Sequence, residues 1–304
     1  SWFGDDLRCG ACTLRPKVEQ TQTEGANMPW QVSSTLRAQA QAVPQQDGRA
    51  VYGGTPTDQS VYEAIAALKA AGKDVVFYPF ILMDQLAGTS LTDPWTGAQG
   101  QPVLPWRGRI TTSLAPGVAG TPDQSAAAEA EVAAFFGTAV PGDFTALPGA
   151  TVAYGGPAEW SYRRFILHYA HLCAAAGGVS AFCIGSEMRG LTQIRGTNGS
   201  FPAVEALVAL ATGRNISVII RRTDRAMCIS TSIRFGPRRR SMSLASTITC
   251  RFPTGVTAWT MPMRIGARST RWSIFSRISR GARGIVGTMP RIRRRRCRTA
   301  ARSP

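Results

Sequence analysis

The 304-residue chain has a formal net charge of +17, and hydrophobic residues make up 44% of it. This length suits one large domain or two ordinary ones, and no run of about 18 apolar residues is present, which excludes a membrane-spanning helix. Seven cysteines without compact spacing argue against a disulfide framework and favour a reducing compartment. Because the chain starts at Ser1 with no leader pattern, we expect a piece of a longer protein rather than a secreted precursor.

The positive charge is concentrated beyond residue 212. Residues 1–212 contain 13 basic and 17 acidic residues, a net charge of −4, which is typical of a globular domain. Residues 213–304 contain 22 arginines, no lysine and one acid, Asp224, a net charge of +21. A basic binding segment is normally polar and mixes lysine with arginine. Here arginine alternates with Ile, Met, Trp and Phe, and neither helical nor strand periodicity is present.

The arginine-rich end has the composition of a GC-rich gene translated in the wrong frame. One frame away, codons for residues 228–257 permit a string that contains the strand-like "IDVVGI" and the turn-rich "NYMPLSDWRDG". We therefore predict that residues 213–304, including "RIRRRRCRTA" at 291–300, are out of frame and disordered or poorly packed. The alternative is nucleic-acid binding by phosphate neutralisation, which would be non-specific and would weaken as the salt concentration rises.

The first half of the in-frame part predicts a strand, a helix and a second strand. "WFGDDLR" (residues 2–8) begins as a strand and brings in Asp5 and Asp6. A helix follows in residues 55–72 and ends at Gly72. Its predicted inward face is Val61, Ala64, Ile65 and Leu68. "KDVVFYPFILMD" is an apolar run that ends at Asp84 and suits a strand of a buried parallel sheet.

The second half continues the alternation. A helix is predicted from Thr121, as N-cap, to Gly137, with Pro122 in its first turn. "WSYRRFILHYAHLCAAAGG" predicts a helix whose inward face is Ile166, Tyr169, Ala170 and Cys173. The strand "VSAFCIGSE" ends at Glu187, and "FPAVEALVALA" predicts a helix with Val204, Leu207, Val208 and Ala211 inward. This order favours an α/β fold with a parallel sheet and right-handed crossovers.

Four stretches carry a family resemblance: "FYPFILMD", "PWRGRIT", "YRRFILHYAHLCAAAGGVSAFCIGSEMRGLT" and the shifted "VGIDNYMPLSDWRDG". They resemble the TIM-barrel-like, glycoside-hydrolase-like domain of the host-specificity protein of gene transfer agents and phage tails. The resemblance implies a partial (β/α)8 TIM barrel over residues 1–212, interrupted by a frameshift after about residue 212. It also implies synthesis in the bacterial cytoplasm, assembly with other tail or baseplate proteins into a tail particle, and contact with cell-envelope polysaccharide or peptidoglycan.

Glu187 is the candidate catalytic residue. It follows a strand, where barrel glycosidases place the acid/base, although Ser186 stands where many have Asn. Retaining glycosidases need a second carboxyl group about 5–5.5 Å away. The later acids are Glu205, on a helix, and Asp224, in the arginine-rich part, so we expect this chain not to hydrolyse glycan. The alternatives are a strand-end ion pair for Glu187 and a non-catalytic structural or glycan-binding tail-tip module.

Three further residues are candidates for substrate binding. Asp84 follows an apolar strand and is placed to bind a sugar hydroxyl. Trp95 and Trp106 lie in the loop after that strand, where their rings would stack on sugars or anchor the loop. We expect no metal or cofactor. His168 and His171 suit packing or surface positions, and the single Cys9/Cys12 pair has no partner pair at zinc-binding spacing.

The frame hypothesis predicts the nucleotide sequence of the gene. Sequencing across codons 205–230 should reveal a position where restoring the frame by one or two bases yields "VGIDNYMPLSDWRDG" downstream. Stop codons or low-complexity sequence in the shifted frame would contradict the prediction and leave the arginine-rich end as a binding segment.

Overall fold

The computed structural model describes residues 1–21, 25, 27–212, 216–223, 226–233, 246–250 and 259–263, with side chains up to residue 210. The chain divides into two compact units, residues 1–240 and 241–304. Beyond residue 212 the description covers the backbone of four strands. The predicted boundary at residue 212, the frame change and the poor packing of residues 213–304 fall largely outside the described residues and stay predictions.

Helices and short strands alternate through the first unit. The helices are α1 (Asp58–Ala70), α2 (Ala126–Phe136), α3 (Tyr162–Ala175), α4 (Arg189–Thr192) and α5 (Pro202–Thr212), and 3-10 turns lie at Arg37–Gln39, Arg107–Arg109 and Pro141–Asp143. The strands are β1 (Trp2–Gly4), β2 (Leu14–Arg15), β3 (Lys17–Val18), β4 (Gln31–Val32), β5 (Thr35–Leu36), β6 (Gln41–Ala42), β7 (Gln45–Gln46), β8 (Arg49–Ala50), β9 (Val76–Phe77), β10 (Ile81–Met83), β11 (Phe144–Leu147), β12 (Thr151–Tyr154), β13 (Ala181–Phe182), β14 (Ile216–Thr223) and β15 (Ala226–Ile233). In the second unit, β16 (Ser246–Cys250) pairs antiparallel with β17 (Trp259–Met263).

The first unit contains three parallel strand pairs. β1 pairs with β10 in the register Trp2↔Ile81, β9 pairs with β13 in the register Val76↔Ala181, and β3 pairs with β6 in the register Lys17↔Gln41. Antiparallel pairs extend or accompany them, including β1–β2, β11–β12 and β14–β15. The fold is therefore mixed α/β. Among the residues that the structure describes, the strands do not close into a barrel.

The apolar run at residues 73–84 forms two strands, so its prediction as a single strand is wrong. The chain leaves β9 after Phe77 and re-enters sheet geometry at Ile81. Pro79 lies between them, and its ring removes a backbone donor and restricts the residue before it, which explains the break. One segment of sequence thereby supplies a strand to the β9–β13 pair and a strand to the β1–β10 pair.

Two helices differ in detail from their predictions. α1 buries Ile65 and Asp58 and leaves Ala64 and Leu68 exposed, because buried hydrogen bonds turn Asp58 inward. α2 begins after Ser125 rather than at Thr121, since Gln124 has φ +67°, which interrupts the helical backbone. Its end at Gly137 is confirmed: that residue has φ +68° and its N–H donates to Ala133 O.

The core is built around α3, whose predicted inward face is confirmed at Ile166, Tyr169 and Cys173. Aromatic rings from β1, β9 and β13 pack with Tyr169 and with one another: Trp2, Phe77 and Phe182. On α5, Ala203, Leu207 and Leu210 are buried, with Val204 and Val208 half-buried; the side chain of Ala211 lies outside the described residues. No helix in the described part of the chain has the length and apolarity of a membrane span.

A buried pair of side chains, Asp58 and His168, links α1 to α3. His168 Nε2 lies 2.9 Å from Asp58 Oδ1, and both side chains are fully buried. Asp58 Oδ2 accepts hydrogen bonds from the Ser33 N–H, the Thr151 hydroxyl and the Val152 N–H. The Asp58 carboxylate therefore connects four parts of the unit: α1, α3, β12 and the turn between β4 and β5.

We expect Asp58→Ala to lower the free energy of unfolding by about 3 kcal/mol or more, because it leaves the buried His168 and three donors without their acceptor. Urea unfolding of the variant measures this. The matched control is Asp74→Ala, which removes an exposed carboxylate that accepts the Ser180 hydroxyl. A loss for Asp58→Ala no greater than that of the control would contradict the structural role of the pair.

Candidate functional site

The candidate site lies where the parallel strands β9 and β13 end. The Cys183 N–H donates to Phe77 O at 2.9 Å, which keeps the two strand ends together. Tyr78 follows β9, and Ser186 and Glu187 follow β13 after a short turn. The Tyr78 hydroxyl is hydrogen-bonded to Ser186 Oγ. The carboxyl ends of neighbouring parallel strands thus bring together residues that are far apart in sequence.

Glu187 has a strained backbone conformation, and the contacts of its carboxylate are all made by one oxygen. Its φ is +55°, a left-handed conformation that is uncommon for a residue with a Cβ. Its Oε2 accepts a hydrogen bond from Trp106 Nε1 at 2.7 Å and lies 2.9 Å from Arg107 Nη2. Among the described residues, Oε1 has no partner, and the side chain is 46% exposed. Glu187 therefore presents one fixed oxygen and one open oxygen.

Arg107 contacts several residues of the site and links them to one another. Its Nε donates to Ser186 O at 3.4 Å, and its Nη2 lies 3.3 Å from Ser186 Oγ and 3.5 Å from the Tyr78 hydroxyl. The guanidinium also lies over the Phe80 ring, 5.3 Å from its centroid. We call Tyr78, Trp106, Arg107, Ser186 and Glu187 the Glu187 cluster. Its two aromatic side chains are each nearly half exposed, so a ligand can reach them.

A close backbone approach keeps the two sides of the Glu187 cluster together. α4, which follows Glu187, packs Gly190 against the carbonyl oxygens of Gly108 and Ile110. These carbonyls belong to the turn that carries Arg107, and the gap leaves no room for a Cβ at position 190. Glycine at this position therefore fixes the distance between the loop of Trp106 and the loop of Glu187.

Asp84 lies in a different environment from the Glu187 cluster. It follows β10, is buried, and its Oδ2 lies 2.6 Å from the Lys17 ammonium, which is also buried. Burial raises the pKa of Asp84, although the hydrogen bond and charge of Lys17 oppose the shift. The structure records no contact between Asp84 and the Glu187 cluster. Its predicted role in binding a sugar hydroxyl stays a prediction.

The two candidate tryptophans have different surroundings. Trp106 is exposed and donates a hydrogen bond to Glu187. Trp95 is half-buried and donates from Nε1 to Arg109 O at 2.7 Å. The Arg109 guanidinium lies 5.6 Å from the centre of the Trp95 ring and is paired with Asp93. Trp95 therefore anchors its own loop, and Trp106 is the ring available beside Glu187.

The other residues considered from the sequence are engaged in the fold. Asp5 accepts the Thr13 N–H and hydroxyl, and Asp6 pairs with Arg8. His171 Nδ1 lies 2.8 Å from Leu167 O. Burial raises the pKa of the Cys9 and Cys12 thiols, which makes them poor nucleophiles. Within the described residues, no group of three His, Cys, Asp or Glu side chains is arranged to hold a metal ion.

Tyr78 and Arg107 were missed by the sequence analysis. Arg107 directly follows Trp106 in "PWRGR", and Tyr78 lies in "FYPF", at the break between two strands. A signal for Tyr78 existed, since a proline inside an apolar run marks the end of a strand. Nothing in the local sequence indicated that the Arg107 turn would lie against the end of β13.

The family model of the GTA TIM-barrel-like domain, where GTA denotes gene transfer agents, matches residues 160–224. This segment includes α3, β13, Ser186, Glu187 and α5, and it confirms the resemblance noted in the sequence over that range. No curated protein matches the chain.

We expect opposite pH dependence for two carboxylates of this unit. Because its pKa is raised on folding, Asp84 contributes stability below the ordinary Asp value, and that contribution is lost as the pH rises through its folded value. Burial raises the pKa of Glu159, but hydrogen bonds from Ser161, Thr138 and Ala139 outweigh this and leave it lowered. Glu159 therefore contributes stability above the ordinary Glu value, which is lost as the pH falls through its folded value.

The measurement is the free energy of unfolding of the wild type, Asp84→Asn and Glu159→Gln between pH 3 and pH 7. Relative to Asp84→Asn, the wild type should lose stability as the pH rises. Relative to Glu159→Gln, it should gain stability over the acidic part of the range. Trends of the same sign in both comparisons would contradict the two assignments.

Proposed function

We propose that this chain is part of a gene-transfer-agent or phage-tail host-specificity protein, and that its TIM-barrel-like domain binds cell-envelope glycan at the Glu187 cluster. The match over residues 160–224 supports the relationship and includes the central carboxylate. The parallel pairs β1–β10 and β9–β13 are compatible with part of a (β/α)8 barrel. In such barrels the ligand site lies at the carboxyl ends of the strands, which is where Tyr78 and Glu187 lie.

The observation that carries the proposal is the hydrogen bond between Trp106 and Glu187. It fixes an exposed indole ring beside a carboxylate that has an open oxygen. Sugars present apolar C–H faces and polar hydroxyl edges, so their sites combine aromatic side chains with a few placed polar groups. Tyr78 adds a second exposed ring, and the hydrogen bonds of its hydroxyl with Ser186 and Arg107 hold it near the same carboxylate. This composition suits a saccharide.

Binding is better supported than hydrolysis. A retaining glycosidase places two carboxyl groups about 5–5.5 Å apart, one acting as acid/base and one as nucleophile. In the described residues, Glu187 is the only carboxylate that contacts Trp106 or Arg107. Both groups contact the same oxygen, Oε2, and Oε1 is left open for a ligand hydroxyl. Glu187 as the acid/base of an intact relative is the second candidate function, supported by its position after a strand.

The wider setting follows from the same relationship and is likewise proposed. A tail-tip barrel would assemble with other tail or baseplate proteins after synthesis in the bacterial cytoplasm and would meet the envelope of a recipient cell. No nucleic-acid role is proposed for the arginine-rich end, since 22 arginines would bind any polyanion in dilute salt without specificity.

We expect the chain to bind an insoluble cell-envelope glycan without releasing reducing ends. Trp106→Ala should weaken binding by about tenfold or more, because it removes both the ring and the indole donor. Trp106→Phe keeps an aromatic ring, so its affinity should lie between those of the wild type and Trp106→Ala. Co-sedimentation with envelope glycan, followed by a reducing-end assay, measures both properties.

The matched control is Val103→Ala, which alters a similarly exposed side chain in the same loop. Unchanged binding by Trp106→Ala would remove the Glu187 cluster from the proposal. Release of reducing ends that Glu187→Gln abolishes would favour the hydrolase over the binding module.

A further inference from the structure

We infer that the Glu187 cluster recognises two adjacent hydroxyl groups on an uncharged sugar ring. The inference rests on the proposed glycan-binding function and narrows it to one chemical class. It is carried by two polar atoms of the Glu187–Arg107 ion pair that have no partner among the described residues: Glu187 Oε1 and Arg107 Nη1.

The ion pair holds the two groups that carry these atoms in contact. Glu187 Oε2 and Arg107 Nη2 are 2.9 Å apart, and Oε1 and Nη1 are the carboxylate and guanidinium atoms that this contact leaves without a partner. Arg107 cannot easily turn away, since its Nε and Nη2 are held by Ser186 and its plane lies over Phe80. The cluster therefore presents an acceptor and a donor on one ion pair.

Adjacent hydroxyls match this pair. A hydroxyl group both donates and accepts, whereas an ionised carboxylate only accepts and a guanidinium only donates. One hydroxyl can donate to Glu187 Oε1 while its neighbour accepts from Arg107 Nη1, and both bonds are charge-assisted. The exposed rings of Trp106 and Tyr78 are then available for the C–H face of the same sugar.

The charge balance of the cluster disfavours acidic sugars. A ligand carboxylate drawn to Arg107 would approach the Glu187 carboxylate and would have to displace it from Nη2. Arg107 is largely buried, with 13% of its side chain exposed, and breaking an ion pair of a buried group is costly. An uncharged diol binds both partners without separating them.

The requirement for two adjacent free hydroxyl groups distinguishes between the candidate glycans. In β-1,4-linked chains of N-acetylated amino sugars, as in peptidoglycan, the N-acetyl group and the glycosidic bond flank the ring hydroxyl at C3, so no two adjacent ring hydroxyls are free. Neutral hexose polymers linked through C2, C4 or C6 keep such a pair. The inference therefore favours a neutral envelope polysaccharide over peptidoglycan.

The experiment measures binding of the full chain to a panel of defined glycans. The probes are dextran, mannan and galactan as neutral polymers with adjacent hydroxyls, alginate as an acidic one, and purified peptidoglycan. The best-bound polymer is then oxidised with periodate, which cleaves the C–C bond between adjacent hydroxyl-bearing carbons, and is reduced with borohydride. We expect at least one neutral polymer to bind about tenfold more tightly than alginate or peptidoglycan, and periodate treatment to abolish that binding.

Variants of the short turn at 107–109 provide the matched pair. Arg107→Lys should weaken binding by about tenfold because an ammonium lacks the second nitrogen of the fork. Arg109→Lys changes the same residue type in the same turn, where it is paired with Asp93, and should bind normally. Thermal unfolding of both variants identifies any loss of binding that results from misfolding, and in that case Glu187→Gln, whose side chain is exposed, takes the place of Arg107→Lys.

The outcomes are separable. Tightest binding to peptidoglycan or alginate, or binding that survives periodate, overturns this inference while the glycan-binding function stands. Failure to bind any glycan of the panel or any envelope preparation overturns both. Periodate-sensitive binding to a neutral polymer that requires Arg107 and not Arg109 supports the inference.

Discussion

The packing of the first unit depends on the placement of Asp58. It begins α1, where a negative charge is favourable next to the free N–H groups of the first turn, yet its side chain is fully buried. A buried carboxylate is tolerated only when its lone pairs are satisfied, and His168, Ser33, Thr151 and Val152 all contact it. The position of α1 relative to α3 is therefore set by polar contacts as well as by the core. Since α3 also carries Tyr169, the rings of β1 and β9 are placed against the same helix.

Most other acids described in the unit connect loop segments, and five of them do so in one way. Each carboxylate accepts both the N–H and the hydroxyl of a single Ser or Thr: Asp5 with Thr13, Glu19 with Thr21, Glu129 with Thr197, Glu131 with Ser113, and Glu159 with Thr138. Short strands and long loops need such links because their backbone groups lack ladder partners. Glu187 differs from these five, since its partners are an indole and a guanidinium and one oxygen is left open.

Sequence reasoning succeeded where local chemistry decides the outcome. The apolar faces of α3, the helix end at Gly137 and the carboxylate after β13 all follow from spacing and residue type, and each is present in the structure. It failed where distant residues decide. The burial of Asp58 depends on His168, which is 110 residues away, and no helical pattern in α1 indicates it.

The same limit applies to the candidate site. Glu187 and Trp106 could be named from the sequence, because an acid after a strand and an aromatic ring in a loop are recognisable separately. Their hydrogen bond could not, since it depends on the approach of α4 to the turn at 107–109. Tyr78 and Arg107 enter the site through the pairing of β9 with β13, which no single segment specifies. The α2 start was missed for a simpler reason: Gln124 takes a left-handed backbone that its residue type does not favour.

At position 187, selection for a stable fold and selection for keeping the carboxylate oppose each other, because the backbone there is left-handed. Glycine adopts this conformation without the steric cost that a Cβ brings, which is about 1 kcal/mol or more for a residue such as glutamate. Random substitution under selection for folding alone would therefore drift towards glycine or asparagine at this position and lose the carboxylate. In homologous chains, a glutamate that persists here indicates selection for ligand binding, and its replacement by glycine would mark lineages in which the domain serves only as a spacer.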